Sequence, residues 1–128
     1  MGQALGFSTS GAGSTGNPLV ISVPGTLAIQ SNAGQVPAFY NRATALQGAT
    51  LQVGSAPLGA SLVVQVALVT SPLTVLFTLT LAAGSTAVSA TGAQISAAAS
   101  IPAKTPVVVN ITAVGSTFPG QNLTLNLW

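Results

Sequence analysis

The chain has 128 residues, 48% of them hydrophobic, with Arg42 and Lys104 as its only formal side-chain charges and no Asp, Glu, His or Cys. Proton transfer near neutral pH uses His or a tuned carboxylate, nucleophilic triads need His beside Ser or Cys, and metal sites need imidazole, thiolate or carboxylate. The composition therefore points away from an enzyme, and no metal or cofactor is expected. A Ser-Lys pair is the one catalytic device left, but Lys104 in "PAKTPV" shows no nucleophile motif. The pI near 10 reflects missing acids, because two cations far apart in the sequence cannot neutralise a run of phosphates. Nucleic acid is excluded as a partner on that ground. Zero cysteines leave the redox compartment open.

Residues 1–18, "MGQALGFSTSGAGSTGNP", are rich in Gly, Ser and Thr, with Leu5 and Phe7 as the only large apolar groups. The segment lacks the positive n-region and apolar core of a secretory signal, and Gly6 stands where a myristoylation site wants Ser or Thr. Too little surface is present for it to order alone. It reads as an arm, either lying on its own domain or docked on a neighbouring subunit. Residues 19–128 read as one domain of ordinary size.

"LVISV" (19–23) and "TLAIQ" (26–30) flank Pro24-Gly25, which reads as a turn between two strands. "ATLQV" (49–53) alternates, with Ala49, Leu51 and Val53 on one face, and "GSAPLGA" (54–60) is a loop. The stretch 61–81, "SLVVQVALVTSPLTVLFTLTL", is uncharged and long enough to cross a bilayer. Thr70, Thr74 and Thr78 would form one stripe of a helix. However, Ser71-Pro72 breaks its middle, β-branched residues dominate, and no Lys, Arg, Trp or Tyr flanks it. Leu73, Val75, Phe77, Leu79 and Leu81 alternate against Thr74, Thr78 and Thr80, with Leu76 as the exception. Two strands meeting at "TSP" follow, and no membrane span is expected.

After "AAGS" (82–85) come a weak strand at 86–92, a helical turn or loop at 93–100, a strong strand at 107–114, and "NLTLNLW" (122–128) after "GSTFPGQ". About eight short strands with no convincing helix predict an all-β antiparallel sandwich or jelly roll carrying an extended N-terminal arm.

The order of "TLQVGSAPLGASLVVQV", "LFT" and "VVVNITAVGSTFPGQNLTLNL" resembles a small β-sandwich module of tailed-phage virion proteins. The match covers roughly residues 36–128, and the runs Ala56-Pro57-Leu58-Gly59-Ala60-Ser61-Leu62 and Val114-Gly115-Ser116-Thr117-Phe118-Pro119-Gly120-Gln121-Asn122-Leu123 carry it. Members often have Asp or Glu in the late strands and turns, and this chain has none. The resemblance implies a virion structural role: a capsid decoration or cement protein bound to the major capsid protein and to its own copies, a trimer being favoured, or else a tail or fibre module that grips a host glycan. A short chain with an arm suits the first.

Six side chains are the candidate contacts. Leu5 and Phe7 would anchor the arm. Tyr40 and Arg42, with Phe39 in "PAFYNRA", could stack on a sugar or a partner backbone, or else divide into a core aromatic, an edge aromatic and a solvated cation. Phe118 reads as a turn residue on the sandwich end. Parity with Leu123, Leu125 and Leu127 turns Trp128 outward beside Thr124 and Asn126 as an interface contact, unless the strand ends first and the indole folds over its own sheet. Lys104, between Pro102 and Pro106, reads as a solvated loop charge.

With so few groups able to change charge on folding, stability should change little between about pH 5 and 8. Differential scanning calorimetry between pH 5 and 8 is expected to give unfolding midpoints that agree within about 2 °C, since 1 kcal/mol moves a domain of this size by about 4–8 °C.

Overall fold

The structure is a computed structural model and describes residues 19–33, 38–70 and 72–128. The proposed arm, Leu5 and Phe7 included, lies outside the described residues.

Alternating side chains lay down the strands. In β2 (Ala49–Ser55) and β7 (Gln121–Leu127), Ala49, Leu51, Val53, Leu123, Leu125 and Leu127 are buried, while the residues between them face outward. β2 and β7 pair antiparallel with Leu51 opposite Leu125, and β1 (Leu19–Thr26) pairs on the other side of β7 with Ile21 opposite Leu125. The short β5 (Ala87–Ser89) joins β2 and completes a four-stranded sheet of order β1-β7-β2-β5. A second, three-stranded sheet has the order β4-β3-β6, from β3 (Leu62–Leu68), β4 (Thr74–Leu81) and β6 (Val107–Ala113). The inner faces of the two sheets meet in one apolar cluster that contains Leu51, Leu62, Val64, Val66, Leu79, Ile111 and Leu125. The fold is the expected antiparallel β-sandwich.

The uncharged stretch 61–81 is the β3–β4 hairpin. Thr70 closes it by donating its hydroxyl to the Pro72 carbonyl oxygen at 2.7 Å and lying 2.7 Å from the Thr74 hydroxyl. No helix among the described residues is long and apolar enough to cross a membrane.

Three expectations need correction. First, Leu76 breaks the alternation because it is a β-bulge. Val66 faces Phe77 and the next residue, Ala67, faces Val75, so Leu76 has no partner and the parity of β4 reverses there. Leu76 turns inward, and Leu73 and Val75, expected on the core face, are exposed. Second, Pro24-Gly25 does not end a strand. β1 continues through it with a register shift between Val23 and Thr26, which proline permits because β1 is an edge. Gly25 takes φ +81° and donates its N–H to Asn122 Oδ1 at 2.8 Å. Third, no separate strand forms over 26–30, where Thr26 is the last residue of β1. The chain crosses instead to the open edge of β6, where Gln30 pairs with Ile111, the Ala33 N–H reaches the Val109 carbonyl at 2.7 Å and Ala38 pairs with Val107. This covering stands where an eighth strand was expected, and it satisfies β6 backbone groups that an edge would leave open.

The weak strand shrinks to β5 because Thr91 caps α1 (Gly92–Ala97). Its hydroxyl accepts the Gln94 N–H at 3.1 Å while Gln94 Oε1 accepts the Thr91 N–H at 2.9 Å, a reciprocal capping box. Gln94 Nε2 also donates to the Thr78 carbonyl at 2.8 Å, which ties the helix to β4.

At one end of the sandwich the two loops that carry the resemblance lock together. The Leu58 N–H meets the Phe118 carbonyl at 2.9 Å and the Thr117 N–H meets the Leu58 carbonyl at 2.9 Å. A Cβ at Gly115 would run into the Phe118 carbonyl oxygen and the Leu58 backbone, and one at Gly59, where φ is +84°, into Ser116 and Thr117. Gly115→Ala is therefore expected to lower the unfolding free energy in urea by about 3 kcal/mol. Gly92→Ala, where an added Cβ meets nothing within 4 Å, should change it by less than about 1 kcal/mol.

Candidate functional site

The functional interest lies at the opposite end, where β7 stops, α1 sits and the segments 38–48 and 101–107 run side by side. Ala38 bridges Val107 and Thr44 bridges Ile101, with the Lys104 N–H on the Tyr40 carbonyl at 2.6 Å. The topology thus carries Arg42 and Lys104, remote in sequence, onto paired neighbouring segments. Both are exposed. Lys104 holds φ +60° in a turn closed by the Thr105 N–H on the Pro102 carbonyl at 3.2 Å, a position that glycine or asparagine occupies more readily.

Tyr40 is not the outward partner of Arg42. Its ring is buried and its hydroxyl donates to the Leu127 carbonyl at 3.1 Å, tying segment 38–44 to the end of β7. Burial pushes the phenol up to about 12, and a hydrogen bond with the Leu19 backbone pulls it partly back. "PAFYNRA" divides instead into a core tyrosine, an exposed Phe39 and an exposed Arg42. Adjacent aromatics alternate sides on extended backbone, and sequence alone does not say which turns inward. Phe118 is half-buried at the far end, its backbone paired with Leu58.

Trp128 lies past the end of β7, on the outer face that parity predicts, and it also folds back on its own sheet. Its N–H donates to the Gly48 carbonyl at 3.1 Å and its carbonyl accepts the N–H groups of Gln47 and Gly48 at 2.6 and 3.1 Å. The indole rests on Gly48, where a Cβ would collide with the ring. It is nevertheless 40% exposed. Its free surface borders an open cleft of about 420 Å³ between Gln47–Ala49, Ser89–Ala90 and α1, which contributes Gly92, Ile95 and Ser96.

No ionisable side chain lines this cleft. Next to it, the outer face of the four-stranded sheet runs in neutral rows: Val20, Asn126, Thr50 and Ser89, then Ser22, Thr124, Gln52 and Ala87. Such a surface can stack, pack and exchange neutral hydrogen bonds. Sequence reading found Trp128 but missed Gly48, Ser89, Ile95 and Ser96, because uncharged residues on three separate segments form no motif.

Tyr40 carries a titration that is coupled to folding. A tyrosine raised from about 10 to about 12 contributes stability that is whole below pH 10 and is lost as pH rises through 12. Thermal scans from pH 8 to 12 should show the midpoint falling above pH 10. Tyr40→Phe should lose about 1 kcal/mol at pH 7 through the missing hydrogen bond and remove most of the alkaline fall.

Comparison with family models, with curated proteins and with solved structures gives no match for this chain.

Proposed function

We propose that the protein is a non-enzymatic structural component of a virion: a decoration or cement protein that binds the capsid shell of a tailed phage as a homo-oligomer, with a trimer favoured. The observation that carries an assembly role is the β3–β4 hairpin. The bulge at Leu76 leaves Leu73 and Val75 exposed, and Val69 on the other limb of the hairpin is exposed as well. Apolar side chains left uncovered together are a feature of contact surfaces. The chain has no acidic residue and only two cations, so little charge repulsion opposes contact between copies. The virion setting rests on the resemblance of the loops at 56–62 and 114–123. Those loops are also what interlocked backbone packing requires, so the resemblance supports the sandwich more directly than the setting.

Light scattering on the purified protein is expected to give the mass of a compact trimer. Val75→Lys should shift it towards monomer with an unchanged β circular dichroism spectrum, because a lysine has to be desolvated at the contact. Mixed with undecorated shells, the native protein should cosediment and saturate. Removing residues 1–18 tests the arm, with loss of cosedimentation in a folded protein assigning the arm to shell contact. A monomer that ignores shells would overturn the proposal.

A further inference from the structure

We propose that the cleft beside Trp128 is a binding site for a neutral saccharide, a function that does not depend on the shell-binding reading. A pyranose ring presents an apolar face of C–H groups and a rim of uncharged hydroxyls. The cleft matches both features.

The apolar platform is the indole. It is held at both ends of its residue, by three backbone hydrogen bonds to Gln47 and Gly48 and by the glycine beneath the ring. An aromatic held this way loses little freedom when a ligand covers it. Ile95 of α1 adds apolar surface across the cleft. The wall it belongs to is braced by the Thr91–Gln94 capping box and by the Gln94 hydrogen bond to the Thr78 carbonyl.

The polar rim comes from Gln47, Ser89 and Ser96. Among the described residues the Gln47 side chain makes only a long 3.4 Å contact through Nε2 to the Ala45 carbonyl, and Ser89 shares its hydroxyl with Thr50 at 3.1 Å, so acceptor and donor capacity is left for a ligand. The volume of about 420 Å³ falls in the range of small-molecule sites. Selectivity follows from what the walls lack. A charged ligand would shed water here and meet no side chain of opposite charge, whereas hydroxyls exchange water for neutral partners at little cost. Arg42 and Lys104, the only cations, are not among the lining residues.

Trp128 is the only tryptophan in the chain, so emission excited selectively beyond the tyrosine absorption band reports the Trp128 surface. The experiment titrates the full-length protein with glucose, galactose, mannose, N-acetylglucosamine and their short oligomers, with sialic acid as an anionic control. The expected result is a saturable blue shift with at least one neutral sugar and none with sialic acid. Ser96→Tyr, which fills the cleft from an exposed helical position, should weaken that binding at least tenfold while circular dichroism stays native. Calorimetry should show the same loss for Trp128→Ala. Absence of any emission change across the panel would overturn the proposal, as would tighter binding of sialic acid, or binding that survives in both Ser96→Tyr and Trp128→Ala.

Discussion

Apolar contact between the inner faces of the two sheets is the interaction on which the rest of this molecule depends, because the composition offers no ionic alternative. Leu123, Leu125 and Leu127 of β7 and Leu62, Val64 and Val66 of β3 are all almost fully buried, and each contributes roughly 1.5–3 kcal/mol when removed from water. β7 and β3 are flanked on both sides by other strands of their sheets. Apart from the Tyr40 hydroxyl, no polar or charged side chain among the described residues is buried. Nearly all the hydrogen bonding inside the fold is therefore done by backbone, which explains why so much of the chain is strand and why its edges are managed with care. A bulge with proline marks β1, a crossing segment covers β6, and the Gln94 side chain occupies a β4 carbonyl.

Where alternation was unbroken, the elements were legible. β2 and β7 could be read from single side-chain rows, and the choice of two strands over a membrane helix at 61–81 followed from Pro72 and period two. The misreadings share a cause: each depends on a neighbour that the local sequence does not contain. Pro24-Gly25 is a turn signal by itself and becomes a bulge only because β7 continues beside it and offers Asn122 to the freed N–H. Leu76 looked like noise in a pattern, yet its extra residue reverses the face of everything before it. Residues 26–30 have strand composition, but the open edge of β6 draws the chain away to the second sheet.

The candidate site shows the same limit more strongly. Tyr40 and Phe39 are equivalent on paper, and the Leu127 carbonyl decides which one is core. Arg42 and Lys104 lie far apart in sequence and come to adjacent segments because 38–44 pairs with 101–107. The cleft is built from the end of β7, the approach to β2, the end of β5 and α1, and of its lining only Trp128 stands out in the sequence. The loop residues behind the resemblance, Gly59 and Gly115, prove to be places where two backbones touch. A motif of this kind reports packing first. Both functional proposals accordingly rest on surfaces: an apolar hairpin left uncovered by a bulge, and an open cleft of uncharged side chains bordered by a clamped indole.

The central claim is that two interior strands, β3 and β7, hold the protein together through their buried faces. Native-state hydrogen exchange resolved to single amides tests it most directly. The account predicts the slowest exchange at Val64, Val66, Leu123 and Leu125, with β5 and α1 opening at much lower free energy. Amides of β3 and β7 that exchange as fast as those of β5, or continuous helix-like protection across 61–81 that includes Thr70 and Leu73, would contradict it.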